Sequence, residues 1–212
     1  MRPKVKIFSY HIPKTAGTSF RKVLQHELGR KKVTQIYVPE TARALSSGTV
    51  PRKTINEALH GHYKPHPNHL ETFPDAQTIV WVRDPIERIW SHVGHLLRHK
   101  DSHPHYADLR KIELEHGIYT QEELVTQIIK DESLKHVTNT YQRFFKKVPI
   151  SAMSFVGSVH FFERDLKKLS EKMSWKFYPQ KANVSPGSII PTSVKRLKNH
   201  LQEEYELVSN YL

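Results

Sequence analysis

Cysteine is absent from the 212 residues. Without a thiol the chain can form neither a disulfide nor a thiolate metal site, and the usual clue to redox compartment is missing. Long apolar runs are absent too. Met1 to Tyr10 alternates charged and apolar residues and never builds the apolar stretch of a signal peptide or membrane span, so a soluble cytoplasmic protein is expected. Acidic residues are few: 21 Asp and Glu face 33 Lys and Arg, a formal charge of +12. That excess favours anionic partners such as nucleotides, acidic glycans, nucleic acid or a membrane surface. Apolar residues make up only 37%, but they cluster in periodic segments, which argues against global disorder. No internal repeat or low-complexity tract divides the chain, and its length suits a single domain over residues 1–212.

Period-two alternation over Lys4 to Ile12 predicts a strand. A polar loop, Pro13 to Ser19, separates it from a helix that begins near Thr18. That helix sets Phe20, Val23, Leu24 and Leu28 on one face, with Gly29 as C-cap. Val33 to Val38 and Ala58 to Tyr63 are strand candidates, and Pro65, Pro67 and Pro74 mark the next stretch as loop. Thr78 to Val82 is a continuous apolar run, as in a strand buried on both faces of a parallel sheet. Asp84, Pro85 and Glu87 then supply N-cap, N1 and capping-box residues for a helix burying Ile86, Ile89, Trp90, Val93 and Leu97. His99 to His105 reads as loop. Later elements are a helix from Thr120 with Leu124, Ile128 and Leu134, a strand over Met153 to Val159, and a helix through Leu166 and Leu169. After a loop at Lys181 to Pro191, a last helix runs from about Thr192, with Val194, Leu197, Leu201 and Val208 on one stripe. Strands alternating with helices predict an α/β fold in three layers around a mainly parallel central sheet.

Three places carry chemistry. Pro13-Lys14-Thr15-Ala16-Gly17-Thr18-Ser19 lies directly between a strand and a helix. Gly17 lets the backbone turn tightly, so that successive N–H groups, the positive end of the helix, the Lys14 charge and the hydroxyls of Thr15, Thr18 and Ser19 can converge on a phosphate. The plainer alternative is an ordinary helix start capped by serine and threonine. Lysine precedes the glycine, so this is not a Walker A loop. Arg83 closes the buried strand, where ligands of open α/β sheets bind, and its planar fork suits a phosphate. Ser91 lies two turns into the following helix, off the apolar stripe. In His60-Gly61-His62 the strand period projects both imidazoles to one side, and Gly61 leaves room for a close neighbour. An imidazole with an ordinary pKa of about 6.5 can accept a proton from a hydroxyl at neutral pH. Equally, the pair can be two half-buried strand histidines.

The loop from Pro13 to Ser19 resembles the 5′-phosphosulfate-binding loop of sulfotransferases that use 3′-phosphoadenosine 5′-phosphosulfate (PAPS). Val82 to Arg88 followed by Ser91 resembles their 3′-phosphate segment. The intervening His-Gly-His is similar to the uronyl (heparan sulfate) 2-O-sulfotransferase branch. This resemblance is strongest from Phe8 to Arg98. It implies a P-loop-like fold, PAPS as donor, adenosine 3′,5′-bisphosphate as product, and a hydroxyl acceptor, on a carbohydrate. It further implies Lys14 on the leaving oxygen, N–H groups of Ala16 to Ser19 on the phosphosulfate, Arg83 and Ser91 on the 3′-phosphate, and His62 as base with His60 assisting. Lys181, Asn183 and Ser185 would correspond to the loop closing over the nucleotide. No metal is implied, because one cation and a donor nest supply the charge stabilisation.

Other classes leave traces. His60 and His62, or His92, His95 and His99 on one helix face, have ligand spacing for a metal-dependent hydrolase. A P-loop nucleotide kinase would need the missing Walker A order, and a nucleic-acid-binding module rests on charge alone.

Overall fold

A computed structural model describes residues 5–50, 56–176 and 189–212. Lys181, Asn183 and Ser185 lie outside the described residues. In chain order the elements are β1 (Ile7–Tyr10), α1 (Gly17–Leu28), β2 (Val33–Ile36), α2 (Pro39–Ser46), β3 (Ala58–Gly61), α3 (Pro67–Thr72), β4 (Gln77–Val82), α4 (Pro85–His99), α5 (Tyr106–His116), α6 (Gln121–Lys130), α7 (Lys135–Thr138), α8 (Thr140–Phe144), β5 (Phe155–Ser158), α9 (Phe162–Met173), α10 (Thr192–Lys195) and α11 (Gln202–Val208). The fold is α/β: five parallel strands in the order β2-β3-β1-β4-β5 form the sheet, and helices flank it. No helix among the described residues is long and apolar enough to cross a membrane.

The chain groups into two compact units interleaved in sequence: Met1–Val82, Phe144–Val184 and Tyr211–Leu212 form one, Arg83–Arg143 and Ser185–Asn210 the other. The first holds the sheet. Alternation sends Ile7, Ala58, Ile79 and Trp81 to one face, where they pack with Phe20, Val23 and Leu24 of α1 and Phe162, Leu166 and Leu169 of α9. Each large apolar side chain buried there contributes about 1.5–3 kcal/mol. From the opposite face of β1, Phe8 stacks on His69 of α3 at 4.8 Å, and Tyr10 meets Tyr63 edge-on at 5.2 Å. A central parallel strand is covered on both sides, so all four residues of β1 are buried. The connection after β1 runs towards β2, and the one after β4 towards β5. Their carboxyl ends therefore flank a topological switch point, where open α/β sheets bind ligands.

The second unit is helical. Asp84 caps α4, accepting from the Glu87 N–H at 3.1 Å, while the Glu87 carboxylate accepts from Arg83 Nε at 3.2 Å. Thr120 and Glu123 complete a reciprocal capping box at the start of α6.

Several local expectations shift. Pro67 sits in the first turn of α3 rather than in a plain loop, as proline's fixed φ allows at a helix start. Helix α4 runs through His99, and it buries Leu96 while Leu97 is only half-buried. Helix α5 occupies a stretch with no capping signal in sequence. Leu134 lies beyond α6 in a left-handed conformation. The last helix is broken by a 3-10 segment, Arg196–Leu201, yet Val194, Leu197, Leu201 and Val208 are buried as the stripe requires.

Candidate active site

Beyond Tyr10 the chain bends through His11 to Ser19. Lys14 (φ 70°) and Ala16 (φ 58°) take the left-handed conformation, whereas Thr15 and Gly17 do not. Alternating signs of φ turn successive N–H groups towards one side, the geometry of an anion nest. For residues with a Cβ each left-handed position costs about 1–2 kcal/mol, strain of the kind that clusters at ligand sites. Thr15 closes the turn: its N–H and its Oγ1 both donate to the Ile12 carbonyl, at 3.3 and 2.8 Å. Helix α1 then starts with Ala16 as N-cap, and no side chain caps it. The alternative of a serine- or threonine-capped start is thereby set aside. The positive end of a twelve-residue helix opens onto the nest.

Gly17 serves a different purpose from the expected tight turn. A Cβ at this position would lie 1.9 Å from Cδ2 of the His11 ring. Glycine is required because that imidazole lies over the loop.

Ser9 and His60 are register partners on β1 and β3, and Ser9 Oγ lies 2.8 Å from His60 Nδ1. His60 is 1% exposed. Burial, with Arg21 and His62 adding to it, pushes its pKa down to about 3, so the ring is neutral. His62 continues on the same side, beyond the end of β3. Its N–H donates to the Ile36 carbonyl at 2.9 Å. Gly61 makes that approach possible, since a Cβ there would sit 2.0 Å from the same oxygen.

The His62 ring is exposed, and it packs against His11 at 4.5 Å and Tyr37 at 4.8 Å between centroids. Burial in that packing lowers its pKa; its open edge lets water offset part of the push. His11 Nδ1 lies 2.9 Å from Tyr37 Oη. Burial pushes His11 well below 6.5, followed by the charges of His62, His60, Arg21 and Lys14. Burial raises the Tyr37 phenol, with Arg21 opposing. The Arg21 guanidinium stands 5.9 Å from the Tyr37 centroid and donates to Gln35 Oε1 at 2.9 Å. Three neutral imidazoles, a protonated phenol and two cations thus gather beside an anion nest. Such a set can hold an anionic leaving group and take a proton from a hydroxyl.

Lys14, Thr15, Ala16, Gly17, Thr18, Ser19, His60 and His62 all belong to the first unit, and His11, Arg21 and Tyr37 join them. Sequence reasoning did not select these last three, although His11 stands only two residues before the loop. His60 and His62 belong to no group of three metal-ligating side chains among the described residues.

Arg83 and Ser91 belong to the second unit. Tyr141 clamps the Arg83 main chain: the Arg83 N–H donates to Oη at 2.9 Å, and the phenol donates to the Arg83 carbonyl at 2.7 Å. The Arg83 side chain is about a quarter exposed, at 27%, with Nε on Glu87. Its remaining fork nitrogens are donors suited to a phosphate. Ser91 is half-buried on α4, clear of the apolar stripe.

No curated protein matches the chain. A family model described as the sulfotransferase family matches residues 1–209.

Proposed function

This chain belongs to the sulfotransferase family, and from that premise we propose that it transfers a sulfuryl group from PAPS to a hydroxyl on a carbohydrate. The observation that carries this reading is the uncapped start of α1, joined to left-handed Lys14 and Ala16 and set beside neutral histidines. The donor set fits an anionic phosphosulfate: N–H groups of Ala16 to Ser19, hydroxyls of Thr18 and Ser19, and the Lys14 ammonium. Thr15 holds the loop's shape. Lys14 donates to the oxygen that bridges sulfur and phosphorus and gains charge as the S–O bond breaks. Arg83 and Ser91 take the 3′-phosphate, which separates PAPS from ATP. Exposed His62 receives the acceptor's proton as its oxygen bonds to sulfur. His60, sealed and held by Ser9, positions the neighbouring ring, as does His11. The charge of +12 supports an acidic acceptor.

The test is release of adenosine 3′,5′-bisphosphate from PAPS across a panel of glycan hydroxyls. Lys14→Ala is expected to lower turnover by about 10²–10³ and His62→Ala by about 10²–10⁴, both variants remaining folded. Turnover of Lys14→Ala near that of the wild type would remove the lysine from the mechanism.

A further inference from the structure

The histidine-rich stretch after α4 plays no part in the chemistry above. We propose that His105, Asp108 and His136 bind a divalent cation of the zinc type, at a site distinct from the residues assigned to sulfuryl transfer. All three lie in the second unit. His105 is the N-cap residue of α5, Asp108 lies in its first turn, and His136 is the second residue of α7. One ligand atom from each falls within 4.8 Å of the others. The His105 and His136 rings are 4.6 Å apart and inclined by 33°, and His105 Nδ1 lies 3.9 Å from Asp108 Oδ2. His136 Nε2 is enclosed and has no hydrogen-bond partner among the described residues.

Zinc bonds of about 2.0–2.2 Å in tetrahedral geometry place ligand atoms about 3.4 Å apart. Contraction by at most about 1.4 Å from the 4.8 Å limit reaches that spacing, and the side chains of His105 and Asp108 are 50% and 54% exposed, hence free to rotate inward. Two imidazoles and one carboxylate select a borderline cation over magnesium or calcium, which prefer all-oxygen sets. The carboxylate also offsets part of the ion's charge, and water completes the coordination. A bound ion would tie the start of α5 to α7.

The experiment is zinc titration of the full, untagged chain by calorimetry at pH 7.5. One tight site per chain is expected, weakened at least about tenfold in His136→Ala, in Asp108→Asn and in the surface variant His105→Ala. His95 and His99 form a competing pair on α4, with rings 4.2 Å apart. His99→Ala should therefore change the affinity by less than about twofold. Absence of tight binding overturns the proposal, as does unchanged affinity in folded His105→Ala. Loss of the site with His99 alone, or equal affinity for magnesium, also overturns it.

Discussion

At position 17 a hydrogen stands where any other side chain would strike an imidazole. His11 occupies the space above the loop, and its Nδ1 is held by Tyr37 at 2.9 Å. Gly17→Ala would force the ring aside and break that hydrogen bond. Overpacking of this kind costs about 1–3 kcal/mol. Urea unfolding should register that loss, with a matching drop in turnover; a variant as stable and active as the parent would contradict the seating of His11. The need for glycine here was legible in the sequence, but its reason was not. Position 17 looked like the pivot of the turn, whereas the left-handed conformations fall on Lys14 and Ala16. His11 and Tyr37 escaped notice for a related reason. They are 26 residues apart, and only the parallel pairing of β1, β3 and β2 brings them together. His60 and His62 were visible because strand period alone puts them on one side.

Among the elements, α4 and α11 are joined by a buried ion pair. Arg88 is fully buried, with its guanidinium 3.9 Å from Glu204 Oε2 and bonded to the Val137 carbonyl. The Glu204 carboxylate also accepts from the main-chain N–H groups of Tyr141 and Gln142, at 3.0 and 2.9 Å. Tyr141 in turn clamps Arg83, so this pair underlies the placement of a proposed phosphate ligand. Burial lowers the Arg88 pKa and raises that of Glu204, each opposed by its partner. Glu204→Gln would leave Arg88 uncompensated, and breaking a buried pair this way costs about 3–5 kcal/mol. A loss below about 1 kcal/mol in chemical unfolding would show that Arg88 does not depend on this carboxylate. Elements with strong periodicity, β4 and α4 above all, were legible from residues alone. Helix α3 was not, because the proline at its start resembles loop punctuation, and α2 lies in a mixed stretch without a readable period. Helix α5 was hidden by its histidine-rich approach. Its apolar face is short, with Tyr106, Leu109 and Ile112 alone buried beside Glu113.

At the scale of the whole molecule, acid should weaken the sheet unit. His69 is 0% exposed; its Nε2–H donates to the Leu45 carbonyl at 3.0 Å, leaving Nδ1 to accept from Tyr10 Oη at 3.0 Å. Burial pushes His69 down to about 4 and His60 to about 3. Both are neutral when folded, whereas the unfolded chain protonates them below about pH 6.5. The unfolded state then binds more protons, so stability is full above about pH 6.5 and falls as pH drops towards the folded values. The slope is up to about 1.4 kcal/mol per pH unit for each histidine. Urea unfolding at pH 7.5 and pH 5 should show the decline, and equal stability at both would contradict buried neutral histidines.

The central claim is the proposal that the chain recognises a bisphosphorylated adenosine, with Lys14 in the first unit and Arg83 in the second each proposed as a ligand. Calorimetric titration with adenosine 3′,5′-bisphosphate and with ATP tests it most directly. The bisphosphate should bind at least about 100-fold more tightly, a difference of about 2.7 kcal/mol. Both Lys14→Ala and Arg83→Ala should erode that preference. Equal affinity for the two nucleotides, or tighter binding of ATP, would contradict the assignment.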